Sequence, residues 1–240
     1  MIKRARLGEW LLSALVLTAG TMSAKGSPPE RPTAELRLHI VSSEPGKTRA
    51  VPAVTWLDPL PGTRALPFLP RGKYTLTQKN RTFTPHLQVV PVGAVVQFPN
   101  DDPFFHNVFS LFEGKRFDLG LYEAGSTKSV TFSREGVSYI FCNIHPEMSA
   151  VVLALSTPLY SVADANNSFT LRNIPPGNYE LHIWIEGVPG AFLEHQSRRV
   201  HFPPWTVDLG QLSAPVSRTG DMTHTNKFGN PYTPEPQSTY

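Results

Sequence analysis

The stretch FCNIHPEMS, residues 141–149, holds the chain's only cysteine and three different soft or borderline metal donors, Cys142, His145 and Met148, at C-x-x-H-x-x-M spacing. Donors spaced in this way converge on one point only if the segment is a tight loop. Pro146 favours such a loop, because it fixes φ and cannot continue a strand ladder. Before it, VSYIFC (137–142) alternates, with Ser138, Ile140 and Cys142 on one face and Val137, Tyr139 and Phe141 on the other. After it, SAVVLALS (149–156) is a continuous apolar run suited to a strand buried on both faces. The metal donors therefore sit between two strands.

A thiolate, two imidazoles and a distant thioether are the set that suits copper in an electron-transfer site, with the thioether as the weak axial ligand. The loop supplies one imidazole, so the second has to come from upstream. His106 is the candidate. It stands in FPNDDPFFHNVFS (98–110), where the strand-like run AVVQF (94–98) ends in turn residues and a new strand, HNVFS (106–110), begins.

Together these two segments resemble the cupredoxins, the small blue copper proteins such as plastocyanin and amicyanin. The likeness lies in the His-Asn-Val-Phe run after the turn, the G-x-S-Y-x-F-C approach ending at Cys142, and the short C-x-x-H-P-x-M loop. It covers roughly residues 83–156, about a third of the chain. The resemblance implies one type 1 copper site with Cys142 as equatorial thiolate, His106 and His145 as equatorial imidazoles and Met148 as axial thioether. It also implies that Asn107 ties the two ligand loops together near the sulfur, and that His145 is the port through which an electron leaves. Contacts like those of Asn107 orient ligands and tune the metal. Free-standing family members are shorter than this chain and carry no appended domain.

At 240 residues the chain has room for one large or two small domains. It opens with a basic segment (Lys3, Arg4, Arg6), an apolar run and then small residues, the pattern of a secretory signal peptide over residues 1–24. The apolar run is too short for a stable membrane span. Taking residues 1–24 away removes three basic residues and one acidic one, so the formal net charge drops from +3 to about +1. Nucleic acid or a strong polyanion is therefore not the expected partner. A lone cysteine in an exported chain cannot form an internal disulfide, which leaves it buried or ligated. Secretion or export to a periplasm, without membrane insertion, is the expected fate.

Along the rest of the chain, short strands alternate with turn clusters and no helical period appears. LRLHIV (36–41), AVTWLDP (53–59), YTLTQ (74–78), the pair around Pro91-Val92-Gly93, and KSVTF (128–132) read as strands, with a Pro-rich irregular loop over 60–73. His86 reads as a solvated or edge histidine, and Asp118 and Glu123, in a stretch expected to be a loop or short helix, as surface charges. The fold class is all-β: a Greek-key cupredoxin β-sandwich over 34–156, a smaller second β module over 157–212, and a disordered tail over 213–240. The second module resembles the carboxypeptidase regulatory-like or transthyretin-like β-sandwich through FTLRNIPPGNYELHIW (169–184). At about 50 residues it is too short for a complete sandwich, so it either docks on the copper domain or borrows the strands of 36–59.

Three functions follow. The first is a one-electron carrier meeting a redox protein such as a cytochrome or dehydrogenase through a small, transient interface. The second is a non-redox module for copper storage, delivery or assembly. The third, an enzyme using Cys142 and His145 as nucleophile and base, lacks a third orienting residue and a cleft between the pair. A zinc site with water in its fourth position would leave Met148 unexplained.

Overall fold

A computed structural model describes residues 33–43, 50–111, 114–216 and 224–232. The signal peptide and the leader up to residue 32 lie outside the described residues, as do 217–223 and 233–240 of the expected tail. Among the described residues the regular structure is almost entirely β. The first are β1 (Ala34–Ser42), β2 (Ala53–Pro59), β3 (Tyr74–Thr75), β4 (Thr77–Lys79), β5 (Thr82–Thr84) and β6 (Leu87–Pro91). Next come β7 (Ala94–Pro99), β8 (His106–Ser110), β9 (Phe117–Tyr122), β10 (Thr127–Phe132), β11 (Gly136–Cys142) and β12 (Ser149–Leu155). Last are β13 (Tyr160–Val162), β14 (Ser168–Ile174), β15 (Gly177–Ile185), the helix α1 (Gly190–Gln196), β16 (Arg198–Phe202) and β17 (Val207–Ala214). Among the described residues no helix is long and apolar enough to cross a membrane.

Five strands in the order β6-β12-β11-β8-β9 form the sheet that carries the ligand segments, and β10-β7-β3 forms the sheet facing it. Between them lies a core of Val90, Val96, Phe98, Val108, Tyr122, Phe132, Ile140, Ala150 and Val152, which also encloses Cys142 and Met148. The alternation read in 137–142 holds: Ser138, Ile140 and Cys142 are fully buried inside this sandwich. Val137 and Tyr139, on the opposite face of β11, pack into a second core.

That second core explains why SAVVLALS is apolar without a break. Val151, Leu153 and Leu155 point away from the first core and into a cluster with Leu36, Leu38, Leu57, Phe169, Tyr179, Ile183 and Trp184. Each such buried side chain contributes roughly 1.5–3 kcal/mol relative to exposure. β12 is thus the wall shared by both cores, and a run alternating with polar residues could not serve there.

The strand pairing joins residues 34–59 to the chain after residue 160. β1 lies between β14 and β17, and β2 lies between β13 and β15. β2 pairs with β15 along its whole length, from Ala53↔Ile185 to Pro59↔Tyr179. β1 and β2 are thus hydrogen-bonded to strands of residues 160–214, as in the alternative in which the short module borrows the strands of 36–59. The physical reason is the one anticipated for a short module: some 50 residues cannot close two sheets, and the first two strands complete them. Two expectations fail. Residues 117–122 form a strand instead of a loop or short helix, and within the expected disordered tail residues 213–214 end β17 while 224–232 lie against the ligand loop.

Candidate metal centre

Local hydrogen bonds close the loop between β11 and β12. The main-chain N–H of Cys142 donates to the carbonyl of Met148 at 3.3 Å, and that of Met148 donates to the carbonyl of His145 at 3.1 Å. Pro146 stands at the apex, where no donor is needed. The adjacent β8 brings in the upstream ligand segment: Cys142 pairs with Val108, and the N–H of Asn143 donates to the carbonyl of Asn107 at 2.9 Å. His106 is the first residue of β8, next to the turn 99–105. Buried Asn100 shapes that turn, its side chain donating to the carbonyl of Phe104 at 2.8 Å and accepting from the N–H of Asp102 at 3.1 Å.

These constraints bring three of the four expected residues to one point. Cys142 Sγ lies 3.6 Å from His106 Nδ1 and 3.5 Å from His145 Nδ1, and the two Nδ1 atoms are 3.1 Å apart. All three side chains are buried, His145 being 7 % exposed. Donors held around one ion at about 2.0 Å for imidazole nitrogen and about 2.3 Å for thiolate sulfur stand roughly 3 to 4 Å from one another. The observed spacing fits a single metal ion, and the N, N and S donors fit copper. Met148 is fully buried in the same core as Cys142 and follows directly from the loop.

Burial pushes the Cys142 thiol up and the charge of Glu147 adds to this, while the main-chain amides of Asn107, Ile144 and His145 offset only part of the rise. The far side of the His106 ring, Nε2, donates to the Asp102 carboxylate at 2.9 Å, which leaves Nδ1 to face the sulfur. Asp102 also accepts from the main-chain N–H groups of Asn80 at 2.6 Å and Arg81 at 3.0 Å, both in the left-handed region at φ 55° and 54°. Burial alone would raise the Asp102 carboxyl, but the Arg81 amide, the His106 ring and the Asn80 amide together hold it below the ordinary range. Phe104 packs against both imidazoles, its ring centroid 5.2 Å from His106 and 5.5 Å from His145.

Two features differ from what the sequence suggested. His145 is nearly enclosed, while Ile144 before it in the chain and Phe105 before His106 are exposed. Asn107 does tie the ligand segments, but through its carbonyl; its side chain donates to Asp118 at 2.6 Å. A bulge in β9 makes this possible. Gly120, at φ 64°, takes up the extra residue opposite Val108 and donates its N–H to the same carboxylate oxygen at 2.9 Å. Sequence reasoning missed Asp102, although the acidic NDDP turn four residues before His106 was its signal. It also missed His224, Lys227 and Tyr232, whose only trace was the spacing of ring-bearing residues in an otherwise polar tail.

Comparison with known proteins adds structural neighbours only. No family model matches the chain, and no curated protein matches it. Among solved structures it is similar to a purple cupredoxin from Nitrosopumilus maritimus, at 24 % identity over 35 % of this chain and 100 % of that one, with a TM-score of 0.32. It is also similar to a reduced variant of amicyanin, at 20 % identity over 36 % of this chain and 86 % of that one, TM-score 0.33. A copper-containing nitrite reductase from Thermus scotoductus SA-01 matches at 24 % identity over 49 % of this chain and 28 % of that one, TM-score 0.33. Values this low leave the chemistry to be read from the chain's own side chains.

Proposed function

We propose that this protein is an exported type 1 copper protein acting as a one-electron carrier, with copper held by His106, His145 and Cys142 and by an axial thioether from Met148. The observation that supports it most is the meeting of two imidazole nitrogens and a thiol sulfur, all within 4.8 Å of one another, in a buried pocket. Bound there, copper would supply a one-electron couple suited to this mixed nitrogen and sulfur set. The chain's part is to hold the donors fixed. Asp102 anchors His106 from behind, three main-chain amides stabilise the Cys142 thiolate, and Phe104 with the surrounding core excludes water. No residue of the site is assigned a catalytic role.

The partner in this reading is a redox protein such as a cytochrome or dehydrogenase, met transiently, and the compartment is a periplasm or the cell exterior. The seven strands around the second core, with their FTLRNIPPGNYELHIW run, serve as a carboxypeptidase regulatory-like accessory module. A second reading keeps the copper and drops the redox role. It draws on the near-complete burial of His145, which suits a protein that stores copper or holds it within an assembly. Stopped-flow mixing with a cytochrome separates the two, since a carrier exchanges electrons rapidly and a store does not.

The visible spectrum of the purified, copper-loaded protein tests the whole proposal. An intense blue thiolate-to-copper band that vanishes in Cys142→Ser is expected. A colourless protein that retains zinc instead would overturn it.

A further inference from the structure

One segment touches both halves of the metal centre and has no place in the function just proposed. Residues 224–232 form a compact turn organised by Asn226, whose carbonyl accepts from the N–H of Gly229 at 2.9 Å and whose side chain accepts from Phe228 and Asn230 at 3.0 and 3.1 Å. Gly229, at φ 81°, allows the reversal. The turn presents two side chains to the ligand loop and a third to β9.

His224 lies flat on Phe141, the residue before the cysteine, with centroids 3.9 Å apart and planes 24° apart, and its Nε2 donates to the carbonyl of Pro146 at 3.0 Å. Tyr232 stands edge-on to His224 and donates its hydroxyl to the carbonyl of Cys142 at 2.8 Å. Lys227 works at two levels. Its main-chain N–H donates to the Asn143 side chain at 2.8 Å, and its ammonium pairs with Asp118 at 2.7 Å. Asp118 is the carboxylate that receives the Asn107 side chain. The path Asn143, Lys227, Asp118, Asn107 therefore joins the loop that carries Cys142 and His145 to the strand that begins with His106.

We propose that residues 224–232 are a clamp on the metal centre: His224, Lys227 and Tyr232 are positioning residues that hold the two ligand segments at a fixed separation. This rests on the copper reading above. An Asn107 side chain committed to Asp118 no longer spans the ligand segments directly, and the clamp adds a side-chain connection to the main-chain ones, the pairing of β11 with β8 and the Asn143 to Asn107 bond. Its contacts fall on the carbonyls of Cys142 and Pro146, at either end of the turn that presents His145. Slackening them lets the sulfur and the imidazoles drift apart, with no donor atom removed.

The test uses the full chain carrying His224→Ala, Lys227→Met and Tyr232→Phe together, with Lys227→Met and Lys227→Arg as single variants. Two quantities are read: the rate at which bound cuprous ion passes to a coloured chelator, and the shape of the thiolate-to-copper absorption band. The triple variant is expected to lose copper about 10 to 100 times faster, the range typical of contacts that orient metal ligands, and to show a shifted band. Lys227→Met falls between, and Lys227→Arg, which keeps the charge, stays near the unaltered protein. If the triple variant folds, shows the same band and releases copper at the same rate, the clamp is refuted while the copper reading stands. If the unaltered protein takes up no copper, the earlier reading fails, and the clamp is judged on the copper-free chain. There, amide exchange at Asn143 should speed up in the triple variant, and unchanged exchange refutes it. Should the triple variant not fold, Lys227→Met against Lys227→Arg decides alone.

Discussion

The Asp102 carboxylate accepts the Nε2 proton of His106 across 2.9 Å, with both side chains buried. A carboxylate behind a ligating imidazole makes that ring a better donor and fixes its tautomer. Asp102→Asn removes the charge and turns an amide N–H toward either the His106 ring together with the Arg81 main chain, or the Asn80 main chain. Copper affinity is expected to fall about 10 to 100-fold. The loss should be greater for the cupric form, which depends more on a basic nitrogen, so the reduction potential should rise, by about 59 mV for each tenfold difference between the two forms. A redox titration of the variant checks this, and a potential equal to that of the unaltered protein would count against any tuning by Asp102.

Leu153 is fully buried on the face of β12 that meets the strands of residues 34–59 and 160–214, while its neighbour Val152 faces the metal side. Leu153→Ala should therefore destabilise both cores together, by about 2 to 5 kcal/mol. Urea unfolding of the copper-free protein, followed by near-ultraviolet circular dichroism, is expected to show one transition with a lowered midpoint. Two separate steps, only one of them displaced, would mean that β12 does not couple the halves.

How far the sequence carries the reader depends on how local each cause is. Cys142 and His145 were legible because three residues of a single loop decide their separation, and His106 because a turn cluster and a strand start mark its place. The parity of 137–142 and the unbroken apolar run of β12 likewise report their two environments directly. By contrast, the pairing of β1 with β14 and β17 depends on partners more than 120 residues away, and nothing in LRLHIV names them. The stretch 117–122 is a strand because β8 offers it an edge, with Gly120 absorbing a bulge that period counting does not anticipate. The segment 224–232 buries no apolar stripe. It docks through one stacked ring and a few hydrogen bonds, so its composition looks like that of any polar tail.

His86 bridges the two layers: one ring nitrogen lies 2.6 Å from Glu186 and the other 3.1 Å from the carbonyl of Ser149. Hydrogen bonding to Glu186 raises its pKa, with burial opposing and the charge of Glu186 and the Ser149 carbonyl assisting. A histidine whose folded pKa exceeds its unfolded value stabilises the fold fully below the unfolded pKa, near 6.5, and loses that contribution as pH rises through the folded pKa. With the His86 side chain 39 % exposed, solvent screening keeps the pair to no more than about 1 kcal/mol. Comparing the unaltered protein with His86→Gln by urea unfolding should show a stability difference at pH 5.5 that shrinks by pH 8.5. A difference that grows with pH would reverse the assignment.

Met148 has two roles to separate, filling the core beside Cys142 and, in the proposed site, donating a weak axial sulfur. Leucine nearly matches methionine in volume, and such exchanges usually cost less than about 1.5 kcal/mol in a core. Met148→Leu should therefore leave the urea midpoint of the copper-free protein almost unchanged. The loaded protein is another matter, because removing the axial sulfur weakens the cupric form more than the cuprous one and changes the field around the thiolate. Expected results are a higher reduction potential and an altered visible band, with the copper still bound by His106, His145 and Cys142. If potential and band both match those of the unaltered protein, Met148 serves only as packing and the centre is a three-donor site.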